Sequence, residues 1–108
     1  MKREKFIQIT TSSDSRKALE KIAQELISGR LAACVQITGK VTSVYRWKGH
    51  ICRAEEYLCF IKTRKGLFNS VGKIIKKLHN YETPEIIAVD ILAVSSDYAA
   101  WLNKELKS

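Results

Sequence analysis

A chain of 108 residues has the size of one domain, and its 45% apolar and 28% charged content gives it a core and a wettable surface. No apolar run approaches the ~20 residues of a membrane span, which excludes a bilayer-crossing helix. The net charge of +8 leaves anionic partners open, but no RRM-type or helix-turn-helix pattern accompanies it, so nucleic acid is not an expected partner.

The amino terminus, MKREKFIQITTSSD, begins basic but lacks the apolar core and small-residue cleavage site of a secretory signal. It reads as the start of a mature cytoplasmic protein. KFIQITT (5–11) is rich in β-formers and alternates weakly, which predicts a strand. Ser12, Ser13 and Asp14 are N-cap candidates for a helix. Leu19, Ile22, Ala23, Leu26 and Ile27 then recur at helical spacing on one face, and Gly29 is a natural residue to stop that helix.

LAACVQI (31–37) predicts a strand, interrupted by Gly39 and Lys40 and resumed as VTSVYRW (41–47). Lys48, Gly49 and His50 form a turn, and ICRAEEYLCFIKT (51–63) returns as the partner strand of a long hairpin. Cys34, Cys52 and Cys59 show no C-x-x-C spacing and cannot all pair within the chain, which predicts reduced thiols in a reducing compartment. A second helix runs from about Gly66 to Leu78 with Leu67, Val71, Ile74, Ile75 and Leu78 on one face. EIIAVDIL (85–92) is a further strand, too apolar for an exposed edge. Ser95, Ser96 or Asp97 caps a last helix that buries Tyr98, Trp101, Leu102 and Leu106. The order β-α-β-β-α-β with a terminal helix makes one α+β domain over 1–108, a ferredoxin-like sandwich with both inner helices on one face of the sheet.

The hairpin is too long for such a body. Residues 31–47 would reach ~55 Å fully extended, against a diameter near ~35 Å for a compact domain of this length. Its outer part carries Val44, Tyr45, Trp47 and Ile51, poor residues to leave in water. A projecting ribbon with open backbone edges calls for a neighbouring sheet, and an uncovered second sheet face adds to the demand. Both predict self-association.

Basic residues concentrate at 62–77, where Lys62, Arg64, Lys65, Lys73, Lys76 and Lys77 occur without an acid. That run is equipped to hold an anionic ligand or nucleic acid; the plainer reading is a solvated helix face.

RLAACVQI, TSVYRWKGHI, FIKT, LHNYETPEIIAVDI and DYAAWL occur in the order and spacing of the CutA family of divalent-cation tolerance proteins, and the chain resembles that family over nearly its whole length. The resemblance implies a ferredoxin-like fold in a compact homotrimer similar to the PII signalling proteins. It also implies a soluble, cytoplasmic protein linked to tolerance of copper and other divalent metals, with no established enzymatic reaction. The copper site proposed for the family combines a cysteine just after the first strand with two adjacent histidines. Those positions read Thr10, Leu78 and His79 here, so His79 alone carries over, and one imidazole does not make a tight copper site.

The stretch 78–85 holds the chain's one proline and admits four readings. As a corner, Leu78 and His79 end a helix, Asn80 takes a left-handed position and Pro84 forces Thr83 extended. As a small-ligand cleft between subunits, Tyr81, Glu82 and Glu85 with His79 stand beside Trp47, Lys62 and Cys34, with Lys62 supplying charge for an anionic metabolite. As a weak divalent-metal site, His79 acts with Glu82 or Glu85. As a catalytic site it lacks a nucleophile motif and a phosphate loop, so enzymatic turnover is not expected.

Overall fold

The computed structural model describes residues 5–108; residues 1–4, on which part of the amino-terminal reading falls, lie outside the described residues. Strand β1 (Phe6–Ser13) is followed by α1 (Arg16–Ser28) and the hairpin of β2 (Cys34–Trp47) and β3 (His50–Arg64). A single 3-10 turn leads into α2 (Phe68–Leu78), then β4 (Ile87–Asp90) and α3 (Ser96–Glu105). The antiparallel sheet has the order β2-β3-β1-β4, the ferredoxin-like arrangement. Among the described residues, no helix is long and apolar enough to cross a membrane.

The main core lies between one face of the sheet and the two inner helices. Leu19, Ile22 and Leu26 of α1 meet Val71 and Ile75 of α2 over Ile7, Ile9, Cys59 and Ile61 of the sheet. Each such Leu or Ile contributes about 1.5–3 kcal/mol by leaving water. The cap of α1 is Ser15, whose hydroxyl accepts the Ala18 N–H at 3.1 Å. The expected caps are used elsewhere: β1 runs on through Ser12 and Ser13, and the Ser13 hydroxyl accepts the Ser15 N–H. Nor does Gly29 take the left-handed turn after α1. Arg30 does, at φ 59°, and its guanidinium Nε donates to the Glu105 carbonyl at 3.0 Å, closing the end of α3.

Three further expectations change. The apolar strand predicted over 85–92 shrinks to four residues at the sheet edge, where Ile87 and Val89 are more than half exposed. Pairing with β1 alone fixes that position, because β3 already occupies the other side of β1. The last helix buries Leu102 and Leu106 against Phe6 and Leu67, whereas Tyr98 and Trp101 remain about 40% exposed and rest on one another, ring centres 5.4 Å apart. Phe6 alternates with the core residues of β1, so α3 covers one end of the face expected to be bare.

The hairpin turn is two residues, Lys48 at φ 49° and Gly49 at φ 81°, the paired left-handed geometry that matches strand twist; His50 already belongs to β3. The register slips between Thr38 and Val41, next to Gly39. Beyond it the ribbon projects, and the molecule measures 49 × 26 × 22 Å.

Candidate functional site

Helix α2 stops at His79, which turns extended at φ −72°, ψ 149°, while its N–H still reaches the Ile75 carbonyl at 2.8 Å. Since His79 makes the turn, Asn80 does not adopt the left-handed conformation expected of it; among the described non-glycine residues, Arg30 and Lys48 do. Asn80 works through its side chain instead. Its amide nitrogen donates to Asp14 Oδ1 at 2.8 Å and its oxygen accepts the Ser13 hydroxyl at 2.5 Å. The His79 ring donates from Nε2 to the Ser12 carbonyl at 2.8 Å, and Nδ1 accepts the Tyr81 N–H at 3.0 Å. Those two bonds specify the neutral Nε2–H tautomer.

Tyr81 is the next tie. Its hydroxyl accepts the Asp14 N–H at 2.9 Å and donates to Glu56 Oε2 at 2.6 Å. Burial, then the bond to the Glu56 carboxylate, pushes the phenol well above its ordinary range. Glu56 itself is buried, 6% exposed. Ser12 donates to Glu85 Oε1 at 3.3 Å, so the corner is stitched to the end of β1 and to β3.

Between this corner and the outer hairpin lies a cavity of about 820 Å³. Trp47, Tyr81, Glu82 and Glu85, four of the residues expected to hold a ligand, line it. Tyr45, Ser43 and Glu56, not among the residues expected to hold a ligand, line it too. The available signal for Glu56 was its alternation with Leu58 and Phe60, which placed it on an apolar-patterned strand face.

Cys34 and Lys62 are not part of that wall. They face one another across β2 and β3, and Lys62 lies six positions from Glu56, about 20 Å along the strand. Lys62 Nζ donates to Gln36 Oε1 at 2.7 Å. Cys34 lies instead near Tyr98, whose phenol is pushed up by burial and then by the Cys34 sulfur. The basic run also divides. Ile61 and Thr63 point into the main core, so Lys62 emerges on the face opposite α2, which carries Lys73, Lys76 and Lys77. One continuous basic face over 62–77 is therefore not formed.

The copper positions supply no free donor set either. Thr10 pairs with Phe60 and Ile87 within the sheet, Leu78 packs on the main core, and both His79 nitrogens are engaged. Among the described residues, no group of three or more His, Cys, Asp or Glu stands close enough to hold a metal ion. These residues do not fit a bound copper ion. The thiols are unpaired, with Cys59 buried and pushed up to about 12 by burial, and Cys34 and Cys52 half-buried.

The sequence model of the family described as CutA1 divalent ion tolerance protein matches residues 7–105. The divalent-cation tolerance protein CutA of Thermus thermophilus is 37% identical over 101 residues, covering 94% of this chain and 96% of that protein. The chloroplastic protein CutA of Arabidopsis thaliana is 35% identical over 94 residues, 87% of this chain and 52% of its own, so the chain spans about half of that longer relative. The crystal structure of CutA1 from Oryza sativa matches with a TM-score of 0.92 at 33% identity, covering 96% of this chain and 95% of that one.

Proposed function

The chain belongs to the CutA1 divalent ion tolerance family, and from that membership we propose that it acts as a cytoplasmic, homotrimeric binding assembly without catalytic turnover. Its part in divalent-ion tolerance runs through the assembly and a small ligand held beside the outer hairpin, not through a metal centre at His79. The observation that carries this reading is the projecting ribbon: Val44, Tyr45, Trp47 and Ile51 are each at least 44% exposed on a single chain. Strands β2 and β4 both end the sheet with unpaired edges, and β4 is apolar. Such edges are stabilised by pairing with another strand. The absence of turnover is supported by His79, whose two nitrogens are occupied by backbone groups.

Sedimentation equilibrium at micromolar concentration tests the proposal. The expected mass is three times the 12.3 kDa of one chain. A monodisperse species of single-chain mass, stably folded, would overturn it.

A further inference from the structure

The half of the basic run that stays on α2 borders a second cavity, of about 530 Å³. Phe68 and Ile86, both packed against the main core, form its apolar wall together with Pro84. Lys73 and Lys76 form its charged wall, and no acid lines it. It shares only Pro84 with the groove beside the hairpin. Because Phe68 and Ile86 belong to the helix side of the sheet, it lies away from the ribbon and from the sheet face opposite the inner helices. Its size falls within the ~300–1,000 Å³ of small-molecule sites.

Two local costs meet on this face of α2 without a structural return. Gly72, which also lines the cavity, is the fifth residue of an 11-residue helix, where glycine is among the least favourable choices. Packing does not require it, since a Cβ there would meet no atom within 4 Å. Nor does the backbone, because Gly49 is the described glycine with positive φ. Lys73 and Lys76 are neighbours at i, i+3, and their like charges repel. The two ion pairs among the described residues, Arg16 with Glu20 and Lys40 with Glu55, involve neither. The dipole at the carboxyl end of α2 favours Lys76 in the last turn, but Lys73 stands too early to gain from it. A bare glycine beside two unneutralised cations gives a ligand a floor it can approach closely.

We infer that this cavity binds a small aryl phosphate, its ring over Gly72 against Phe68 and Ile86 and its phosphate between Lys73 and Lys76. Ammonium groups hold phosphate as point charges, and residues at i, i+3 have Cβ atoms about 5–6 Å apart, close enough for both lysines to meet one phosphate. This is a second site, added to the one proposed beside the hairpin. Every residue in it comes from one chain, so it does not depend on the subunit count.

Calorimetric titration with phenyl phosphate, inorganic phosphate and phenol at one fixed ionic strength tests it. Phenyl phosphate is expected to bind once per chain, about tenfold tighter than inorganic phosphate because its ring leaves water, with phenol not bound. Lys73→Gln and Lys76→Gln each weaken it by about two- to fivefold, as exposed charges do. Lys17→Gln, on the exposed face of α1, leaves it unchanged. Gly72→Leu fills the floor and abolishes binding, while Gly72→Ala raises the urea midpoint, since alanine suits a helix better. Equal affinity for phenyl phosphate and inorganic phosphate, unchanged affinity in both lysine variants, or full binding by a folded Gly72→Leu overturns the inference. So does a lower midpoint for Gly72→Ala, because the fold itself would then select glycine. Sedimentation of the same samples reads the subunit count separately, so the trimer and this site stand or fall on different measurements.

Discussion

Tyr81 and Cys59 each keep a proton in the folded chain that the unfolded chain gives up more readily. Cys59 is pushed up from 9.0 to about 12 by burial in the main core, and Tyr81 is raised from 10.0 by burial and the Glu56 carboxylate. The folded state therefore binds more protons than the unfolded state at alkaline pH, and stability falls as pH rises. Urea midpoints are expected to hold level up to about pH 9 on this account and to decline from there toward 12. Tyr81→Phe removes the part of the decline that begins near 10.0 and also costs about 1–3 kcal/mol at neutral pH, since Glu56 and the Asp14 N–H lose their partner. An identical alkaline profile in the variant would mean that the tyrosine's surroundings do not distinguish its two protonation states. At this scale the sequence was only partly legible. It marked 78–85 as a corner because helix end and proline are local signals. It could not show that Asn80 and Tyr81 serve Ser13 and Asp14, since nothing local encodes a partner more than sixty positions away.

The elements were more legible than their ends. Helical periodicity located α1 and α2 because their buried stripes repeat within a few residues. The exposure of β4 and of Tyr98 and Trp101 was not legible, since apolar content says that a surface wants covering and not which molecule covers it. Gly39 belongs to this scale, as the place where the hairpin slips register. Its missing side chain makes room for Tyr57: a methyl there would run into the ring. The ring is held by its packing against the main core, with Arg16 and Lys40 over it at 5.6 and 5.7 Å. Gly39→Ala is expected to destabilise the fold by about 1–3 kcal/mol through overpacking, seen as a lower urea midpoint with an unchanged slope. Adding Tyr57→Ala should relieve much of that strain. If the pair is strictly additive, the space around Gly39 is not what selects glycine.

At the scale of the molecule, one chain spends its longest dimension on a ribbon it does not shelter. The radius of gyration is 14.7 Å, against about 13 Å for a compact chain of this length, and the excess lies in the outer hairpin. Ile51 is 73% exposed there, opposite Arg46 and far from either core. This residue separates folding from assembly. In an isolated chain, Ile51→Lys would be nearly silent, within about 0.5 kcal/mol, as expected of an exposed position. In a trimer that buries the ribbon, each lysine would be drawn into an apolar interface without a partner, and three such penalties would act on one assembly. The expected outcome is a shift toward single chains in sedimentation at micromolar concentration, together with a red shift of Trp47 emission as its surroundings become wet. Far-ultraviolet circular dichroism should stay unchanged, because the inner sheet and helices hold their own core. A variant that keeps the full assembled mass and the wild-type emission would place Ile51 outside any interface, and the exposed ribbon would then need another partner.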